Sequence, residues 1–189
     1  MNKKKPWSTL SSKIIHKNER FYVSHEKFAL PGGKTGDYYF FNTVQGTNKS
    51  VLVIPIIKDE ILLIKQYRYL TKNWSLEIPG GGVKKDSTFL KTAQKELCEE
   101  VGYKAKKFRL IGRFDPYTSK SKEICSVYLA TDLSFVGQKL DDEEHGSEVV
   151  RIKIKKLYQL VDKGEITSGP ILAALALANK KLLQDSILK

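Results

Sequence analysis

With 189 residues, 41% of them hydrophobic and 10% aromatic, the chain is long enough to bury an ordinary core, and it reads as one domain or a domain with a small extension. Lysine and arginine number 33 against 21 acidic residues, a net charge of +12, so the surface favours anionic partners such as nucleotides, nucleic acid or acidic surfaces. Cys98 and Cys125 are too far apart for a CxxC pair, and no run approaches the roughly 18 apolar residues that cross a bilayer, so the expectation is a soluble cytoplasmic protein with reduced thiols.

The first 48 residues alternate apolar and polar side chains in short runs, as in Arg20-Phe21-Tyr22-Val23 and Tyr38-Tyr39-Phe40-Phe41, broken by Pro31-Gly32-Gly33 and Gly36-Asp37. This pattern predicts antiparallel strands joined by turns. Next come two nearly continuous aliphatic runs, Val51–Ile57 and Ile61–Tyr69, separated by Lys58-Asp59-Glu60. They read as a hairpin buried on one face or on both. A loop with Asn73-Trp74 follows, then a short strand Leu76-Glu77-Ile78 stopped by Pro79, then the glycines Gly80, Gly81 and Gly82, expected as a turn.

From Ser87 the period changes. Leu90, Ala93, Leu97 and Val101 recur every three or four positions, Asp86 and Ser87 offer N-cap chemistry, and Gly102 stands where a C-capping glycine belongs, predicting an amphipathic helix of about four turns. Strands are expected over 108–114 and 124–130, flanking a polar loop at Asp115–Lys122. An acidic loop at Asp141–Glu148 precedes an alternating strand at Val149–Ile154, and two helices, Lys155–Lys163 and Pro170 to about Leu183, close the chain. Strands with few helices, the first entered from a glycine run, predict an α/β sandwich.

The predicted helix ends in a concentration of negative charge. Glu96 and Glu100 are one turn apart and Glu99 is adjacent, so like charges repel at the end of the helix where the dipole is already negative. Lys95 can relieve Glu99 but not the other two. A divalent cation resolves such repulsion, and hard Mg²⁺ or Mn²⁺ prefers carboxylate oxygen. The glycines in front let backbone approach a ligand and offer a carbonyl, Gly80 for example, to complete the shell.

This stretch resembles the signature of the Nudix hydrolases, G-x5-E-x7-R-E-U-x-E-E-x-G-U, where U is apolar. Gly81 opens it, and Glu96-Leu97-x-Glu99-Glu100-x-Gly102-Tyr103 closes it at the family spacing. Ser87 stands where the family has its first glutamate, and Lys95 where it has arginine. Together with Lys65-Gln66-Tyr67-Arg68 and Leu76-Glu77-Ile78-Pro79-Gly80-Gly81, the likeness extends to the branch that hydrolyses ADP-ribose and nucleoside diphosphate sugars.

The resemblance implies an α/β/α sandwich with a mixed sheet over 49–189 and an N-terminal β segment, 1–48, that forms a homodimer. It further implies Mg²⁺, with Mn²⁺ as a substitute, held by Gly80, Glu96, Glu99 and Glu100. Arg68, Glu77 and Gly81 would contact a nucleotide-sugar substrate, and Glu143, Glu144 or Glu99 would supply the catalytic base. The Asp115-Pro116-Tyr117 sequence departs from the Pro-Gly pair of strict ADP-ribose enzymes, and Trp74 and Tyr117 are open either to stack a base or to pack a loop.

Two other classes are consistent with the residues. Ser87 and Lys95 fit a regulatory nucleotide-binding module with a weakened signature. The basic tracts at Lys104–Lys107 and Arg151–Lys156 fit an RNA 5′-end pyrophosphohydrolase, but no aromatic residues interleave the latter, as a stacking platform for nucleic acid requires. A solvated basic surface with no membrane partner is the expectation.

Overall fold

In the computed structural model, residues 6–43, 46–139 and 146–184 are described. The strands β1 (Ser8–Lys17), β2 (Phe21–Ala29) and β3 (Thr35–Thr43) form an antiparallel meander, a sheet of its own. A second, seven-stranded sheet holds β4 (Gly46–Ile57), β5 (Glu60–Arg68), β6 (Asn73–Glu77), β7 (Gly80–Lys84), β8 (Tyr103–Phe114), β9 (Ile124–Phe135) and β10 (Glu148–Lys153). Its main order is β10-β5-β4-β9-β8, with β6 added to β5 and β7 to β4. The β4–β9 pair is parallel and the other pairs are antiparallel, so the sheet is mixed. Among the described residues there are three helices: α1 (Phe89–Val101), α2 (Ile154–Asp162) and α3 (Gly169–Gln184). No helix among the described residues is long and apolar enough to cross a membrane.

The two aliphatic runs become central strands because side chains on both of their faces are covered. Along β4 and β5, Ile54, Ile56, Ile61 and Leu63 point into a core with Leu157 of α2 and Ile171, Ala174 and Ala178 of α3. The alternate residues Val51, Val53, Leu62 and Ile64 point into a second core with Ala93, Leu97 and Val101 of α1. Strand alternation of period two thus sorts one sequence into two layers and yields an α/β/α sandwich.

Helix α1 is set by its ends. Thr88 has extended backbone and its hydroxyl accepts from the Lys91 amide at 3.1 Å, so the cap falls one residue past the expected Asp86-Ser87. Gly102 adopts the left-handed conformation (φ 78°), a geometry that costs glycine little, and its amide closes the last turn on the Cys98 carbonyl at 3.1 Å.

One local expectation is corrected. Gly80, Gly81 and Gly82 are not a turn but the first residues of β7, registered against Leu52, Val51 and Ser50 of β4. A Cβ on Gly80 would lie 2.2 Å from the Val51 carbonyl oxygen, so only glycine permits this strand to approach.

Candidate active site

The glycine strand and α1 face one another, and their contacts build the site. The Gly80 amide donates to Glu100 Oε2 at 2.8 Å. A Cβ on Gly81 would stand 2.6 Å from Glu96 Oε1, so the Glu96 carboxylate fills the room that glycine leaves. Glu99 is engaged differently, in an ion pair with Lys95 one turn earlier. All three glutamates are half-buried, at the end of α1, whose last turn carries no basic residue of its own. Among the described residues, no three His, Cys, Asp or Glu side chains converge as a ready-made metal cage. The donor set here is instead carboxylate oxygen, from Glu96 and Glu100, placed directly against main chain. Such oxygen donors suit a hard divalent cation, and the Gly81 notch leaves the carboxylate close to the strand. The two departures from the signature are each used locally: Ser87 Oγ lies 3.0 Å from Thr92 Oγ1, and Lys95 holds Glu99.

Arg68 and Glu77 meet across the β5–β6 hairpin. The Arg68 Nε donates to Glu77 Oε1 at 2.6 Å and a second guanidinium nitrogen pairs with the other carboxylate oxygen, a bidentate fork. Both residues line a cavity of about 350 Å³ whose wall includes Gly80, Gly81 and Gly82. The three glutamates of α1 are not among its lining residues and meet it through Gly80 and Gly81.

The same cavity contains a carboxylate that the sequence reading missed. Glu123 stands at its edge and accepts from Ser50 Oγ at 2.6 Å. Ser50 of β4 and Cys125 of β9 are register partners, which is what brings Glu123 here. Burial pushes the Cys125 thiol up to about 11, the Ser50 hydrogen bond opposes this, and the Glu123 charge adds to it. The thiol is therefore protonated at neutral pH and is no nucleophile. The only hint of Glu123 in the sequence is its position where the polar loop gives way to an apolar strand.

Tyr117, also on the cavity wall, belongs to the loop between β8 and β9, which docks on the N-terminal sheet. The Phe41 amide donates to the Lys120 carbonyl at 2.9 Å, and the Tyr38 hydroxyl donates to the Ser119 carbonyl at 2.9 Å. Trp74 keeps half of its surface open. Glu143 and Glu144 lie outside the described residues. The chain on either side of them is placed: the Lys139 amide donates to the Glu99 carbonyl at 2.9 Å, and Glu148 pairs in register with Lys65 of β5.

Residues 46–175 match the family model described as the NUDIX domain. The chain belongs to the Nudix hydrolases. Among the relatives of this Nudix hydrolase is an ADP-ribose pyrophosphatase of Bacillus subtilis (strain 168), 30% identical over 168 residues that span 84% of this chain and 87% of the relative. Another, the CMP-5′-(N-acetyl-N-hydroxy-3-aminopropyl)phosphonate hydrolase of Streptomyces rubellomurinus, is 26% identical over 90% of this chain and 81% of its own. A solved structure described as an ADP compounds hydrolase shares the fold with a TM-score of 0.85, covering 96% of each chain at 21% identity.

Proposed function

We propose that this Nudix hydrolase cleaves the diphosphate bond of a nucleoside diphosphate sugar, ADP-ribose among them, releasing a nucleoside monophosphate and a sugar phosphate. One observation carries the reading: the Arg68–Glu77 fork and the Gly80–Gly82 strand wall a single cavity, and the same glycines touch Glu96 and Glu100. A guanidinium beside a glycine-lined backbone suits a diphosphate, which needs charge complementarity and close approach. The names of the two relatives support the common element, a nucleoside monophosphate joined through phosphorus to a variable group.

In this reading Mg²⁺, or Mn²⁺, is held by Glu96, Glu99, Glu100 and the Gly80 carbonyl. When bound, the cation neutralises phosphoryl oxygens and makes its bound water more acidic. Arg68 orients the diphosphate, Glu77 fixes the Arg68 guanidinium, and Gly81 contacts the substrate through its backbone on the cavity wall. A carboxylate from the acidic loop, Glu143 or Glu144, or else Glu99, accepts the proton from the attacking water. Support for the loop comes from its anchors, since it departs beside Glu99 and returns beside Lys65, three residues from Arg68. The N-terminal sheet pairs two copies into a homodimer; its support is a first strand exposed along its full length, with Leu10, Ile14 and Ile15 open to solvent.

A second reading, a regulatory nucleotide-binding module, draws support from the Lys95–Glu99 pair, which engages one of the three candidate ligand carboxylates with an ammonium. Incubating the protein with Mg²⁺ and a panel of nucleoside diphosphate sugars separates the two. Release of nucleoside monophosphate that stops with EDTA is expected. Nucleotide binding without turnover on any substrate would establish the module instead.

A further inference from the structure

The cavity at the glycine strand has a direction. At one end stand Arg68 and Glu77, where it shares a wall with a larger cavity of about 910 Å³ that has room for a nucleoside. From there the wall runs through Gly80, whose amide holds Glu100, and Gly81, which faces Glu96, to Gly82. The register of β7 on β4 sets Gly82 against Ser50, so the far end is built by Lys49, Ser50 and Glu123. A diphosphate centred on the Glu96 and Glu100 carboxylates, with its nucleoside beyond Arg68, leaves the sugar to that far end.

The far end is divided in charge. Among the described residues the cavity wall carries two cations, Arg68 and Lys49. Glu77 neutralises Arg68 through the bidentate fork. Lys49 makes no ion pair among the described residues; its ammonium lies 5.6 Å from the centre of the Phe89 ring, which the Arg113 guanidinium shares at 5.5 Å. A ring contact positions a cation without cancelling its charge. The backbone is shaped for this placement: β4 breaks register between Gly46 and Ser50, and Asn48 adopts a left-handed φ of 54°, a strand irregularity of the kind that re-aims a side chain beside a site. Glu123 accepts one hydrogen bond from Ser50 Oγ and keeps acceptor capacity for sugar hydroxyls. A cation that retains its charge beside a hydroxyl acceptor fits a sugar that carries both hydroxyls and an anionic group.

We infer that Lys49 is a specificity-determining residue that takes the carboxylate of a sugar acid, so that nucleoside diphosphate uronates are preferred over the corresponding neutral nucleoside diphosphate sugars. The inference rests on the reading that the diphosphate lies at Arg68 and the glycine strand.

Matched pairs isolate the carboxylate. UDP-glucuronate is compared with UDP-glucose, and ADP-glucuronate with ADP-glucose, each titrated calorimetrically into the protein in EDTA so that binding is read apart from hydrolysis. Within a pair the acid should bind about fivefold more tightly, the scale of one partly exposed ion pair, and added salt should erase the difference. Lys49→Met should bring the ratio to about one, Lys49→Arg should retain it, and Lys49→Glu should invert it. With Mg²⁺ present, the kcat/KM ratio within each pair should follow the same order across the variants. Equal affinity within both pairs, binding of no member of either, or a preference that survives in Lys49→Met would overturn the assignment even with ADP-ribose hydrolysed. A Lys49-dependent preference in EDTA without release of nucleoside monophosphate under Mg²⁺ would keep the assignment and discard the proposed reaction.

Discussion

On one face of the central sheet, Ile54, Ile61 and Leu63 pack against α2 and α3, whose Leu157, Ile171 and Ala174 are fully enclosed. On the other face, Val53, Leu62 and Ile64 meet a single helix, α1, which buries Thr92, Ala93, Leu97 and Val101 and gives most of its remaining surface to charge. The first layer is built chiefly for packing, with Pro170 at the start of α3 reaching the cavity wall. The second stabilises the fold with a narrow apolar stripe and places carboxylates against β7 beside it. The contrast teaches that stability and chemistry are loaded unequally on the two faces, so that substitutions can be chosen to affect one and spare the other.

The largest separation should come from Glu100→Gln, which keeps shape but removes the charge beside the Gly80 amide. Mg²⁺-dependent turnover should fall by at least about 10²-fold, in line with losing a key charge at a reacting centre, while the melting temperature holds. Full activity in that variant would move the metal site elsewhere. Leu157→Ala should do the reverse. Truncating this enclosed residue should cost about 2–5 kcal/mol in urea unfolding and leave the activity of the folded fraction unchanged; a matching drop in kcat would break the comparison.

Gly81→Ala sharpens it, because its Cβ would stand 2.6 Å from the Glu96 carboxylate at an ordinary backbone geometry. Mn²⁺ affinity, read by electron paramagnetic resonance, should weaken by about tenfold, the scale seen when the supports of a ligand are disturbed. Thr88→Ala removes the hydroxyl cap of α1 and should cost about 1 kcal/mol, measurable as a shifted urea midpoint. The smallest effect concerns Cys125. Its thiol is raised from 9.0 to about 11 in the fold, so the folded state keeps a proton that the unfolded chain loses first. The stability this contributes is fully present below pH 9.0 and is lost as pH rises toward 11. Cys125→Ala should flatten that part of the unfolding profile.

Much of this contrast is legible in the residues themselves. The switch from aliphatic runs to a spacing of three and four locates α1, and the repulsion among Glu96, Glu99 and Glu100 marks that helix as more than a support. What escapes is whatever depends on distant pairing. Three glycines carry no side-chain pattern, so their membership of a strand is decided by β4, some thirty residues earlier. Glu123 enters the cavity through the parallel β4–β9 register, and Arg68 meets Glu77 through the β5–β6 hairpin, neither of which local periodicity can specify. The cavity of about 910 Å³ beside Arg68 and Glu77 joins Trp74 to the approach to α3, near a hundred positions apart in sequence.

Gly80 ties these threads together. Its hydrogen atom faces the Val51 carbonyl while its amide holds Glu100, so one position serves both the sheet and the site. In a survey of every substitution along the chain, changes at Glu100 should register in a catalytic readout and be silent in cellular abundance. Changes at Gly80 should register in both, and a reader scoring abundance alone would class an active-site residue as part of the scaffold.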